Sequence, residues 1–309
     1  MKTKTDRNRI LTVCKAAFGV LAVGFIVWYF VQNWAELSEK LCEVNIGVFL
    51  FSMLFYFVYK LTLASLWHYI TVINGCSVKY EKAVTSYMYS LLGKYIPGKV
   101  FMLAARLTCY KEEGAPLSKV TVCFFIENVC TLLAAALLFV VSLFFFPNEL
   151  LGGYRWISFL LIAAFFAVIH PRVINMVLKL IGKLIKKPLE IPMKYSQMLK
   201  VVLLFVGNWL IIGAGFYILA SSVYPALELS QMLFCAGIWG VSAIIGILAI
   251  FAPSGLGVRE GILVAGLMLI MPESDAVVIA VISRLWQTIP ELVLAAGAFV
   301  FARVRKAVK

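Results

Sequence analysis

Charge is scarce in this chain, and acid is scarcer than base. Asp, Glu, Lys and Arg make up 14% of the residues, where a soluble domain carries about 25%. No long polar segment separates the apolar runs, which excludes an attached soluble catalytic domain within these 309 residues. Histidine is limited to His68 and His170, and none of the seven cysteines (Cys14, Cys42, Cys76, Cys109, Cys123, Cys130 and Cys235) forms a CxxC pair. A zinc site is therefore not expected, and cysteines in or beside apolar runs read as small packing residues. The chain also lacks a P-loop, a GxGxxG fingerprint between strand and helix, a Ser/His/Asp arrangement and a paired Asp cluster. The sequence asks for no catalytic residue, no cofactor and no metal, and leaves enzyme activity open.

What remains is apolar. Hydrophobic residues make up 63% and the mean hydropathy is +0.97, which predicts an all-α integral membrane protein, one polytopic domain over residues 1–309. The net charge of +13 fits Lys- and Arg-rich cytoplasmic loops beside anionic lipid, and no nucleic-acid partner is expected. The predicted full spans are Ile10–Val31, Ile46–Ile70, Val120–Phe146, Trp156–Ile169, Val201–Ser222 and Ala276–Phe301. The basic segment Met1–Arg9 ahead of the first span resembles a signal peptide only superficially. Its apolar core is too long and lacks a small-residue cleavage site, so the span is expected to be retained.

Two stretches break the pattern. One is Gly93-Lys94-Tyr95-Ile96-Pro97-Gly98-Lys99, followed by Arg106. The other is Pro253-Ser254-Gly255-Leu256-Gly257-Val258-Arg259-Glu260-Gly261. Proline removes a backbone donor and glycine relaxes backbone sterics, so Pro97, Gly98, Pro253, Gly255, Gly257 and Gly261 are candidate helix-break residues. The flanking limbs, Ala83–Ile96 with Val100–Tyr110 and Met232–Phe251 with Val258–Met271, suit re-entrant or broken hairpins, since several are shorter than the ~20 residues a span needs.

Loop charge orients the chain. Residues 1–9, the loop with Lys79 and Lys82, the loop 172–200 and the terminal Arg303, Arg305 and Lys306 are basic, hence inside. The loops with Glu36, Glu39 and Glu43, with Glu149, with Glu228, and with Glu273 and Asp275 are acidic, hence outside. Both termini are expected to be cytoplasmic, in a bacterial plasma membrane. The first hairpin then enters from inside and the second from outside. Pro97 and Pro253 stand 156 residues apart, and at that offset Pro116 meets Pro272 and Ser118 meets Ser274. An inverted repeat of residues 1–150 and 151–309 follows, the arrangement in which paired helix breaks mark a transport site. In the basic loop, Val173–Lys187 places Lys179, Lys183 and Lys187 at helical spacing, which reads either as an interfacial amphipathic helix or as an ordinary loop.

Ionisable residues inside apolar spans are costly and mark function or pairing. The candidates are Lys94, Lys99, Arg106, Glu127, Arg259, Glu260, Arg284 and Glu291. They read either as buried salt bridges holding the halves together, with Glu127 on Arg106 or Arg284, or as a hydrated, cation-rich cavity. A half-helix starting inside the protein offers free N–H groups to an anion, so the expected ligand is an anionic lipid headgroup.

The two motifs, with Arg106, Glu127 and Arg284 in order between and after them, resemble the lysylphosphatidylglycerol synthase membrane-region family over about residues 80 to 300. That resemblance implies a flippase-like protein of bacteria and archaea. It implies lipid-handling roles for Arg106, Glu127, Arg259, Glu260 and Arg284. Longer relatives move aminoacylated phosphatidylglycerol made by a separate C-terminal domain. Here the sequence ends at Lys309, just after the last span, so an aminoacyl-transferring domain is expected to be absent. The expected function is translocation of an anionic phospholipid or a polyprenyl-phosphate lipid between leaflets, actively or by scrambling. The alternatives are a membrane enzyme or subunit of aminoacyl-lipid or lipid-linked glycan synthesis, and an anchor for a separate cytosolic or membrane synthase. The sequence leaves homo-oligomerisation open.

Overall fold

The computed structural model describes residues 34–76, 78–91, 93, 100–145, 155–185, 193–249, 255 and 257–307. The first expected span Ile10–Val31, together with Lys94, Pro97, Gly98, Lys99, Pro253, Lys186 and Lys187, lies outside them. The described residues form helices and connectors, with no strand.

Eleven α-helices follow in order among the described residues: α1 Trp34–Glu43, α2 Ile46–Ile73, α3 Tyr80–Leu91, α4 Val100–Glu112, α5 Leu117–Phe145, α6 Arg155–Val168, α7 Pro171–Ile185, α8 Tyr195–Ser221, α9 Met232–Leu248, α10 Val258–Leu267 and α11 Glu273–Ala307. Five stretches among them are long and apolar enough to cross a membrane: Ile46–Ile73, Leu117–Leu143, Tyr195–Ser221, Leu229–Leu248 and Glu273–Phe301. This is a multi-pass membrane protein.

Two elements differ from the sequence expectation. The predicted span Trp156–Ile169 is the 14-residue helix α6, too short to cross by itself. It reaches spanning length only with α7, across a 62° bend, where Pro171 cannot donate to the preceding turn. The first limb of the second hairpin is longer than a re-entrant limb needs: with its 3-10 lead-in it covers 20 residues, Leu229–Leu248. The first hairpin has limbs of only 12 and 13 residues.

Each long helix has two faces. On α2, Leu50, Leu54, Val58 and Leu61 are exposed, while Tyr56, Tyr59, Lys60, Leu63 and Trp67 are buried. On α11, Leu285, Ile289, Leu292 and Val293 are exposed, while Ile282, Trp286 and Glu291 are buried. The outward stripes are apolar and the inward ones carry the polar groups, as a bundle in lipid requires.

The helices fall into two sets of four: α2, α3, α4, α5 and α8, α9, α10, α11. In each, a long helix leads through a connector to a helix, a break, a short helix and a second long helix. The packing repeats as well. Helix α2 packs on α8. The pairs α2–α3, α3–α4, α4–α5, α2–α5, α3–α11 and α2–α11 are matched by α8–α9, α9–α10, α10–α11, α8–α11, α9–α5 and α8–α5. Exchanging the two sets leaves this pattern unchanged. The entry into the last helix of each set is also alike: Pro116 precedes α5 and Pro272 precedes α11, and their carbonyls accept from the N–H of Val120 and Ala276, both at 3.1 Å.

The connectors gather in two groups. Asn45 N–H donates to the Ser222 carbonyl at 2.8 Å, and Lys40 lies 3.6 Å from Asp275. A hydrogen bond to Glu43 first, and the charge of Asp275 second, hold the Lys40 ammonium above its usual pKa. In the other group, Asn74 meets Met193 and Lys82 pairs with Glu113. The first group brings together the loops of Glu43 and of Glu273 and Asp275, and the second holds the loop of Lys79 and Lys82, as loop charge sorts them from sequence.

Candidate functional site

The first break brings Arg106 to a closed site. Arg106, on α4, is 0% exposed. Both terminal nitrogens of its guanidinium donate to the Glu127 carboxylate on α5, and Nε donates to Ser90 Oγ on α3 at 3.0 Å. Its plane lies over Trp67 of α2 at 4.3 Å and Tyr87 of α3 at 4.4 Å, within cation–π range. One side chain thus ties four helices. The limbs themselves nearly touch: a Cβ on Gly93 would sit 2.7 Å from the Met102 nitrogen, so only glycine fits.

The second break is held differently. Gly255 and Gly257 have φ of +70° and +79°, which side-chain-bearing residues rarely adopt. A Cβ on Gly255 would also lie 2.8 Å from Gly246 Cα. Glu260 accepts from the Gly257 N–H at 2.8 Å through Oε2 and from Arg284 Nε through Oε1. Arg284 also reaches the Gly255 carbonyl at 3.5 Å. At the start of this half-helix the N–H of Gly257 is therefore served by a carboxylate from the helix's own first turn, the reaching-back half of a capping box, and that negative charge complements the helix start. Gly261 is an ordinary residue of α10, its N–H bonded to the Gly257 carbonyl at 3.0 Å.

Arg259 has a different environment. Its guanidinium stacks on Trp239 of α9 at 3.9 Å, and Nη1 donates to the Gln287 carboxamide oxygen on α11 at 2.6 Å. Nε is buried without a partner, and among the described residues no carboxylate pairs with Arg259.

A third pair spans the halves. Glu291 on α11, 0% exposed, pairs with Lys60 of α2 at 2.9 Å and accepts from the Tyr56 hydroxyl at 2.7 Å. The Lys60 ammonium lies over the Tyr56 and Tyr59 rings at 5.3 and 5.2 Å. Ring contacts continue from Tyr56 to Trp286 and from Trp286 to Trp239, each at 5.1 Å. Through Trp239, which carries Arg259, these contacts reach the cluster of the second hairpin.

The sequence candidates are therefore largely paired off. Arg106 with Glu127 and Arg284 with Glu260 pair within their own halves; of the two partners open to Glu127, the structure places Arg106. The link between halves uses Lys60, which the sequence reading did not single out, although a lysine in the middle of the span Ile46–Ile70 was a visible signal. Gln287 and Trp239 were also missed, being neutral residues with no motif. Asn208, 1% exposed on α8, has neither side-chain polar atom partnered among the described residues; an amide in an apolar run was again the signal.

No curated protein matches the chain. The model of a membrane-region family does, across nearly the whole length: the lysylphosphatidylglycerol synthase TM region matches residues 16–295, and the chain belongs to that family.

Proposed function

We propose that the protein moves lipids with anionic headgroups between leaflets, and that Arg259 is its phosphate contact. The observation that carries this reading is the half-buried guanidinium of Arg259, held by Trp239 and Gln287 with its Nε buried and unpartnered and, among the described residues, no carboxylate paired with it. Burying a charge is costly unless it is paired, and a phosphate oxygen would supply the missing partner in a charge-assisted hydrogen bond. The acyl chains would stay in lipid beside the apolar outer stripes.

The repeated packing pattern supports an inverted repeat, since the two hairpins start at opposite groups of connectors. Exchange of the site between leaflets then amounts to rocking one four-helix set against the other about the α2–α8 contact. We place the end bearing Lys82 and α7 in the cytoplasm. There Arg172, Lys179 and Lys183 of α7 are exposed, which suits an interfacial helix on an anionic leaflet.

The test is reconstitution into liposomes with labelled anionic lipids. Leaflet exchange is expected for wild type and is expected to fall in Arg259→Gln. No exchange with any anionic lipid, or equal exchange in the variant, would overturn the reading. Covalent turnover of the lipid by the purified protein would instead favour a synthetic enzyme.

A further inference from the structure

Resting on the transport reading above, the contact between the two halves names what travels with the lipid. Glu127, Glu260 and Glu291 are each held by a cation, and the pairs are not alike. Arg106–Glu127 and Arg284–Glu260 each lie within one half, and a guanidinium does not deprotonate in a protein. Lys60–Glu291 joins α2 to α11 across the halves at 2.9 Å, with the Tyr56 hydroxyl donating to the same carboxylate at 2.7 Å. A lysine and a carboxylate can both change protonation state when buried. The pair that rocking must open is therefore the pair that can exchange a proton.

Glu291 is 0% exposed, and parting a buried ion pair as two charges is strongly unfavourable. A hydronium ion on the open side gives its proton to the Glu291 carboxylate and leaves as water, so the acid parts from Lys60 uncharged. Lys60 then has an acceptor waiting. The contacts Asn45–Ser222, Phe55–Gly215 and Asn74–Met193 set α2 antiparallel to α8, in a register that puts Asn208 level with Lys60. Asn208 stands two turns before Gly215 on the same face of α8. It is 1% exposed, and neither its Oδ1 nor its Nδ2 has a partner among the described residues. Because α2 and α8 stay together at the pivot, Lys60 can pass from Glu291 to Asn208 Oδ1 as α11 moves away. That contact satisfies an amide which is otherwise buried at a cost.

Around Glu291 the other charged or titratable groups are Tyr56 and Tyr59 of α2, Tyr87 of α3 and Arg259 of α10, the last bonded to Gln287 one turn earlier on α11. Helix α8 meets α11 at Gly215 and Phe216, which do not titrate, and α1 meets it at Asp275 through Lys40. Ring contacts lead from Tyr56 through Trp286 and Trp239 to Arg259, so a phosphate at Arg259 joins the cluster that holds Glu291. Its negative charge favours the protonated carboxylate, and by linkage the proton favours the phosphate. We infer that Glu291 is a proton site and that one proton accompanies each anionic lipid in the same direction.

Vesicles carrying the full chain, with fluorescent phosphatidylglycerol in both leaflets, are given a pH gradient while valinomycin and potassium clamp the membrane potential at zero. The label in each leaflet is read by quenching from outside, against protein-free vesicles. For a gradient of about one pH unit, wild type should enrich the lipid up to about tenfold in the leaflet on the alkaline side, the limit for one proton per lipid. That limit holds whichever way the protein is inserted. Glu291→Gln should leave the label evenly divided, and Asn208→Leu should slow exchange about tenfold without lowering the unfolding midpoint. Wild-type exchange that ignores the gradient, or enrichment on the acidic side, overturns the proton coupling while the transport reading stands. A response that persists in Glu291→Gln overturns the assignment of the proton to Glu291, and unchanged exchange in Asn208→Leu overturns its role as acceptor. No exchange at any pH overturns the transport reading and this inference with it.

Discussion

Arg106 and Arg259 stand on the short second limbs of the two hairpins, and each is stacked on an aromatic ring and bonded to the long helix that follows. The difference lies in what that helix presents: a carboxylate, Glu127, to Arg106 and a carboxamide, Gln287, to Arg259. Relative to the 156-residue offset, Arg259 comes three residues early and Gln287 four residues late. In an antiparallel pair of helices both shifts move the contact one turn further from the connector, towards the break. One arginine is thus neutralised and structural. The other stands deeper, keeps its charge and has a nitrogen to spare. A fold that repeats its packing does not repeat its electrostatics, and the function proposed here depends on that departure.

The largest effect should come from opening the closed site. Glu127→Gln or Arg106→Gln leaves one buried charge without its partner, and breaking such a pair costs about 3–5 kcal/mol. Thermal unfolding in mild detergent should show a large fall in midpoint for either variant. A midpoint equal to wild type would mean that Arg106 is no more neutralised than Arg259. The same substitution at the other arginine, Arg259→Gln, should leave the midpoint unchanged or raise it, because it removes a half-buried charge that no carboxylate pairs with among the described residues, while lipid exchange falls about tenfold or more.

A sharper experiment copies the first half into the second. Gln287→Glu gives Arg259 the carboxylate that Arg106 already has. It should raise the unfolding midpoint and suppress exchange, the opposite signs of effect that separate a structural pair from a binding site. An increase in exchange would break the comparison. A smaller effect is expected at the break: Gly255→Ala forces φ of +70° on a residue with a Cβ and presses that Cβ on Gly246, costing about 1–2 kcal/mol in the folded state. Calorimetric or fluorescence unfolding measures it. The smallest effect on exchange should come from Arg172→Gln, Lys179→Gln and Lys183→Gln together. Attraction to anionic vesicles should weaken by about 1 kcal/mol per residue, with exchange after reconstitution unchanged. If instead these changes abolish function in cells while Arg259→Gln is harmless, an anchoring role for α7 replaces the transport reading.

Much of this was legible before any coordinates. Apolar runs of spanning length can only be satisfied as helices in lipid, which fixed the all-α class. Lys and Arg counts sorted the loops into two groups, and the contacts Lys40–Asp275 and Lys82–Glu113 respect that sorting. The ion pair of Arg106 with Glu127 was among the foreseen options. The failures have equally physical sources. A span boundary read from hydropathy does not register a bend at Ile169–His170, so hydropathy by itself makes a complete span of α6. A helix start inside the membrane reads as an open anion site until one knows whether its own Glu260 turns back on it. Lys60 has no break motif beside it to mark it, and its partner lies far along the chain on α11.

The sequence by itself determined that this chain lives in a membrane, that two breaks interrupt its helices, and which few ionisable residues enter the apolar layer. These follow from transfer free energies and backbone chemistry, which act residue by residue. Only the tertiary structure decided how those residues pair. Three carboxylates and a larger number of cations admit several pairings at almost equal local cost, and distance alone selects among them. The packing of α2 against α8 and of each long helix against its hairpin brings three cations to three carboxylates, and leaves Arg259 facing Gln287.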